Sequence, residues 1–188
     1  FCTVENNNQN TSVMYLENIN SPADVKAVGI DKLDILAGEV RKHLLQKLSD
    51  HGGHIGPNLG MVEATVALHY VFNSPIDKMV FDVSHQSYAH KMLTGRKDAF
   101  LNPAEYDEVS GYTEPSESEH DQFVVGHTST SVSLACGLAK GRDLKGGKEN
   151  VIAVIGDGSL SGGEALEGLD MAAELDTNII IVVNDNQM

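Results

Sequence analysis

The sequence has no tryptophan, few aromatic residues (5%), two cysteines, and only 13 Lys and Arg against 27 Asp and Glu. Each shortage excludes something. Cys2 and Cys136 lie far apart in unlike contexts, so no disulfide framework is indicated and a reducing, cytoplasmic setting is expected. The formal net charge of −14 argues against nucleic acid and anionic membrane as partners, since each requires a basic face. A phosphorylated ligand stays admissible, because helix N-termini and a bound cation set the local sign. No apolar run approaches the roughly 20 residues needed to cross a bilayer. The N-terminus also lacks the charged-then-apolar pattern of a signal peptide. What is present is 188 residues of ordinary globular composition, 41% hydrophobic and 21% charged, enough for one α/β domain with a sizeable core.

Residues 1–13 are Asn-rich and aperiodic, and are expected to be a disordered tail or a cloning remnant, with the domain spanning 14–188. Ser21-Pro22 reads as an N-cap followed by proline in the first turn of a short helix. From Asp31, the positions Leu33, Ala37, Val40, Leu44 and Leu48 recur at helical spacing and predict an amphipathic helix ending near His51-Gly52-Gly53. Met61–Phe72 is almost uniformly apolar, hence a buried helix; Met79–Val83 reads as a strand, and Gln86–Thr94 as a helix closed by Gly95. The polar stretch 96–122, punctuated by Pro103 and Pro115, reads as a long loop, and Ser131–Lys140 as a helix of small residues. Val151–Ile155 and Asn178–Val183 predict buried strands joined by a helix over Gly162–Leu175. This βαβ unit implies a parallel sheet flanked by helices, an α/β fold.

Chemistry concentrates at the tips of those two strands. Gly156-Asp157-Gly158 follows the first and Asn184-Asp185-Asn186 the second. A right-handed crossover brings both tips to one sheet edge, and ligands of open α/β sheets bind outside that carboxyl edge. Gly156 and Gly158 allow a tight turn and let a phosphate approach the backbone. Asp157 offers a hard anionic oxygen and Asn186 an amide oxygen, a pairing that suits Mg²⁺ when phosphates supply further ligands. The helix beginning near Ser161-Gly162 would turn its positive end toward them. Two other readings remain open for the turn: a loose G-x-G-x-x-x-G dinucleotide loop of a nicotinamide-dependent dehydrogenase, and a plain glycine turn with a capping aspartate.

The Gly-Asp-Gly turn, followed one helix and one strand later by Asn, resembles the thiamine diphosphate fingerprint. The blocks GGHIGPNLG (52–60), VEATVALHYVFNSP (62–75), FDVSHQSYAHKMLTGR (81–96), SESEHD (116–121), GHTSTS (126–131) and IGDGSLSGGEALEGL (155–169) closely resemble the N-terminal region of the 1-deoxy-D-xylulose-5-phosphate synthase family. These are transketolase-like enzymes of isoprenoid-precursor and thiamine biosynthesis. The resemblance implies condensation of pyruvate with glyceraldehyde 3-phosphate with loss of CO2, thiamine diphosphate and Mg²⁺ as cofactors, and a homodimer. It implies Mg²⁺ held by Asp157, Asn186 and the backbone carbonyl of Met188, and diphosphate held by the amides of Gly158 and Ser159. His85 and Gly126-His127-Thr128 would line the cofactor pocket, and His54 would act as acid or base near the reacting carbon. In this superfamily a glutamate of a separate pyrimidine-binding domain activates the cofactor. That domain is expected in the same longer protein or in a partner chain, and this sequence is expected to be a fragment rather than a split subunit. The family usually has Gly where Ser84 stands, and Glu114-Pro115 and Ser159-Leu160-Ser161 also depart from its pattern. These departures leave open a relative acting on other sugars or ketoacids; a separate reading, an assembly module without turnover, would be favoured by a full-length sequence lacking the pyrimidine-domain glutamate.

The remaining histidines and charges read as structural. His43 lies on a helix flank, His69 in a buried helix and His120 in an acidic loop. His51 and His54 in HGGH lack a third zinc ligand nearby. Glu117, Glu119 and Asp121 read as a solvated acidic loop, Lys91, Arg96 and Lys97 as exposed charge, and Cys136 as packing.

Overall fold

A computed structural model describes residues 14–185. The expectations for 1–13, Asn186 and Met188 lie outside the described residues. The described chain forms α1 (Pro22–Ala27), α2 (Leu33–His51), α3 (Ile55–Leu59), α4 (Val62–Val71), β1 (Lys78–Phe81), α5 (Tyr88–Lys91), α6 (Asp98–Leu101), α7 (Ser131–Leu144), β2 (Val151–Gly156), α8 (Asp157–Leu160), α9 (Gly163–Glu174) and β3 (Ile180–Asn184). The three strands are parallel in the order β1-β2-β3.

Strand alternation decides the layers, because successive side chains of a strand face opposite sides. On β2, Val151, Ala153 and Ile155 pack with Val132, Ala135, Cys136 and Ala139 of α7 and Ala165 of α9. Ile152 and Val154 face the other way, toward Met61, Leu68, Met79 and Phe81. The central strand is thus buried on both faces, the reason a parallel strand reads as an unbroken apolar run. The small residues of α7 let it lie close to α9, and the Cys136 thiol, buried against Gly168, serves packing as expected. Beyond α4 a further helical layer of α1, α2 and α5 has its own core, including Val25, Leu36, Val40, Leu44, Val62, Val66 and Met92.

Local signals near the N-terminus hold. Pro22 opens α1, and the Asp24 carboxylate accepts from the backbone N–H of Asn20 (2.9 Å) and Ser21 (2.8 Å) as in a capping box. Gly52 closes α2 at φ 86°, and Gly95 takes φ 92° at the end of the turns after α5.

Three expectations are corrected. β3 is not a buried strand: it is the edge of the described sheet and is half-buried. The stretch 96–122 is not simply a loop, since it carries α6 and a 3-10 turn at Pro103–Glu105. Nor are all the charges along 91–121 solvated: Asp98, Asp107 and Glu108 are exposed, but others are not. Lys91 (0% exposed), Lys97 (8%) and Asp121 (4%) are buried. Arg96 donates to both Asp121 oxygens (2.7 and 2.9 Å), Asp121 also pairs with His90 (3.0 Å), and Lys91 and Arg96 share Glu117. His90 in turn bonds His69 at 2.9 Å. Opposite charges along 91–121 find one another, which composition alone does not reveal; Glu119 stays exposed.

Candidate functional site

The β2–β3 register pairs Gly156 with Asn184, so Asp157 and Asp185 stand just beyond neighbouring strand tips. The end of β1 reaches the same edge, where the N–H of Asp82 donates to the Val154 carbonyl at 2.8 Å. These tips open a cleft of about 120 Å³. Its apolar wall is Pro57, Met61, Val154 and Ile155; its polar wall is Asp82, His85, Gln86, Gly156, Asp157, Gly158, Ser159 and Asn184.

Asp82 is the anchor of this edge. Its carboxylate, 1% exposed, accepts from the backbone N–H of Ser129 (2.8 Å) and Ser131 (2.9 Å), fixing the start of α7 to the end of β1. The Ser129 hydroxyl then donates to the Ser159 carbonyl at 2.6 Å. A Cβ on Gly162 would stand 2.0 Å from the Ser129 oxygen, so glycine is required for that approach. The loop 126–130 and the turn 156–162 are in this way one unit. Of the four described non-glycine residues with positive φ, Val83, Ser84 and Ser129 (57°, 67° and 70°) belong to this edge, and the fourth, Asp176 (44°), lies in the turn after α9. Such strain concentrates where a scaffold shapes a site. At Ser84, where the resembled family usually has Gly, the hydroxyl donates to the Val125 carbonyl (2.7 Å) and accepts from the Thr113 N–H (3.0 Å).

The candidate residues fall into three groups. Asp157, Gly158, Ser159 and His85 line the cleft. His54 stands beside it, its ring edge-on to His85 at 5.4 Å and its Nδ1 3.4 Å from the Tyr88 hydroxyl. Gly126, His127 and Thr128 are exposed on the loop that Asp82 anchors, outside the cleft lining. Burial, and after it His54, hold the His85 imidazole below its ordinary pKa, against weaker pulls from Gln86 and Asp82; the ring is therefore neutral near pH 7. Its Nδ1 and the Gln86 Oε1 are buried without a well-placed hydrogen-bond partner among the described residues. The helix that follows β2 at the cleft is the single turn α8, beginning at Asp157; α9 begins only at Gly163.

Sequence reasoning did not single out Asn58, Asp82 or His90. Asn58 and Asp82 sit inside GPNLG and FDVSH, but their types do not distinguish a surface amide from one wholly used inside the fold. His90 was readable only once Asp121 was known to be buried.

The polar wall suits a ligand of definite kind. No cluster of three or more His, Cys, Asp and Glu able to hold a metal occurs among the described residues. A cation at Asp157 would therefore draw most of its oxygens from a ligand, an amide or backbone carbonyls, which fits Mg²⁺ with a phosphorylated group. A Cβ on Gly158 would meet nothing within 4 Å, leaving its backbone open to the cleft.

Residues 16–188 match the family model described as 1-deoxy-D-xylulose-5-phosphate synthase. The chain belongs to that family. It is 50% identical over 173 residues to the 1-deoxy-D-xylulose-5-phosphate synthase of Syntrophotalea carbinolica, covering 92% of this chain and 27% of the relative. For the Caldanaerobacter subterraneus subsp. tengcongensis synthase the identity is 53%, over 92% of this chain and 28% of that one. A chloroplastic synthase of Oryza sativa subsp. japonica is 48% identical over 183 residues, 97% of this chain and 25% of the rice protein. The chain thus spans about a quarter of the length of the synthases it matches. Nothing in these matches supports the dinucleotide reading of the glycine turn.

Proposed function

We propose that this chain forms the diphosphate- and Mg²⁺-binding part of a thiamine-diphosphate-dependent 1-deoxy-D-xylulose-5-phosphate synthase, which joins pyruvate to glyceraldehyde 3-phosphate with loss of CO2. The observation that carries the proposal is the Gly156–Asn184 register, which sets Asp157 at a strand tip beside the next tip and in the cleft. Family membership supports the chemistry. When bound, the cofactor supplies a nucleophilic carbon that adds to a carbonyl.

The chain's own residues bind and orient. The Asp157 carboxylate holds Mg²⁺, with the Asn186 amide oxygen and the Met188 backbone carbonyl completing the protein's share. The amides of Gly158 and Ser159, free of bulky side chains at the turn, hold the diphosphate oxygens. Neutral His85, at the cleft, and the Gly126-His127-Thr128 segment, on the loop that Asp82 ties down, line the pocket of the bound cofactor. His54, beside His85, moves a proton at the substrate oxygen. The apolar wall of Met61, Val154 and Ile155 excludes water from one side. Residues 14–188 form the diphosphate unit, with 1–13 outside it. A pyrimidine-binding domain, in the same longer protein or a partner chain, supplies the activating carboxylate, and the enzyme works as a cytoplasmic homodimer.

The test is turnover by the intact protein. Pyruvate and glyceraldehyde 3-phosphate should give CO2 and a pentulose phosphate only with both thiamine diphosphate and Mg²⁺ present. Faster use of other sugars or ketoacids would make it a related transketolase. Turnover without thiamine diphosphate would refute the proposal.

A further inference from the structure

The Asn58 side chain is wholly buried (0% exposed), and its polar atoms are engaged in an unusual way. The amide nitrogen spends both hydrogens on backbone carbonyls, those of His54 and His85, each at 2.7 Å. The amide oxygen accepts from the backbone N–H of Tyr88 at 2.9 Å. One side chain therefore ties together three segments: the residue preceding α3, the turn after β1, and the start of α5. Two of these carry the imidazoles set edge-to-face at 5.4 Å. The third carries the phenol whose hydroxyl lies 3.4 Å from His54 Nδ1.

From this geometry we infer that Asn58 is a positioning residue that sets His54 against His85 and holds both at the cleft. The inference rests on the proposed function. No other residue type of this size donates twice and accepts once from one planar group. Asp keeps the shape and the acceptor but, when ionised, donates to neither carbonyl; protonated, it restores one donor. Ala restores none. Asn58 bonds to His54, His85 and Tyr88 and does not itself line the cleft that Asp157, Gly158 and Ser159 form, so its loss should leave the diphosphate and Mg²⁺ contacts in place while disturbing the reacting groups. Misplacing a reacting group by about 1 Å costs on the order of a hundredfold.

The experiment uses the intact protein carrying Asn58→Asp or Asn58→Ala, with folding checked by circular dichroism, and measures kcat, the calorimetric Kd for thiamine diphosphate with Mg²⁺, and activity against pH. The expected result is a kcat lower by about thirtyfold or more with Kd changed less than about threefold. Relative to wild type, Asn58→Asp should recover activity as pH falls and its carboxyl takes up a proton, while Asn58→Ala should stay flat. A readout independent of turnover is the His85 ring signal in NMR: its titration midpoint should rise toward the ordinary imidazole value in Asn58→Ala as the ring loosens. Near-wild-type kcat in either folded variant, or kcat and cofactor affinity falling together, would overturn the inference; so would an unmoved His85 midpoint. Should Asn58→Ala not fold, the pH profile of the near-isosteric Asn58→Asp decides. If wild type itself binds no thiamine diphosphate, the proposed function fails rather than the positioning role.

Discussion

Replacing Asp82 with Ala removes the carboxylate that accepts from the N–H groups of Ser129 and Ser131, at 2.8 and 2.9 Å, in a site 1% exposed. Hydrogen bonds to a charged group are worth about 1.5–3 kcal/mol each, and a donor left buried without a partner bears its full desolvation cost. Two such losses total about 3–6 kcal/mol, reduced to the extent that water enters the vacated space. The cost should fall locally, because what Asp82 holds is the loop 126–130 and the first turn of α7. Hydrogen exchange followed by mass spectrometry reads it directly. A local loss of about 3 kcal/mol speeds exchange by roughly a hundredfold in peptides covering 126–131, while β2, buried on both faces, should change little. The substitution Asp82→Asn keeps one carbonyl acceptor but turns an NH2 toward a donor, so its effect should approach that of Asp82→Ala. Exchange at 126–131 rising less than about threefold, or rising equally across the sheet, would refute the reasoning that Asp82 anchors this loop.

Ser84 combines positive φ with a hydroxyl that bridges Val125 and Thr113. Ser84→Ala should lose about 1–3 kcal/mol, whereas Ser84→Gly should recover about 1 kcal/mol of that by relaxing the left-handed backbone. Denaturant melts should rank wild type above Gly and Gly above Ala; an Ala variant as stable as wild type would contradict the bridge. pH gives another test. Burial is the first cause holding His69 and His90 below the ordinary imidazole range, and it pushes His120 down to about 4. These rings are neutral when folded, while the unfolded chain takes up protons near the ordinary value of 6.5. Their contribution is therefore complete above that pH and is lost as pH falls from there toward about 4. Thermal midpoints should drop from about pH 7.5 to about pH 5, and a flat profile would exclude these rings as the cause.

Much of this was legible in the sequence because the deciding signals are local. The apolar run at 151–155, the Gly-Asp-Gly turn after it and the spacing of Leu44 and Leu48 each predict an element from their own residues. The carboxyl-edge site followed from parallel topology, and the register bears out the shared edge. What was not legible depends on partners distant in the chain. Lys91 and Arg96 read as solvent-facing because their charge is visible and Glu117 and Asp121, some 20 to 30 positions on, are not visibly their partners. Asn58 looked like any turn amide until three backbone segments converged on it. β3 read as buried from its isoleucines and valines, but burial of an edge strand depends on what lies beside it.

Binding of thiamine diphosphate to the intact protein, measured by calorimetry with and without Mg²⁺ in wild type and Asp157→Ala, tests the account most directly. Saturable binding that requires Mg²⁺ and disappears in the variant is the predicted result. Binding that persists unchanged without Mg²⁺ or without the carboxylate at 157 would contradict it.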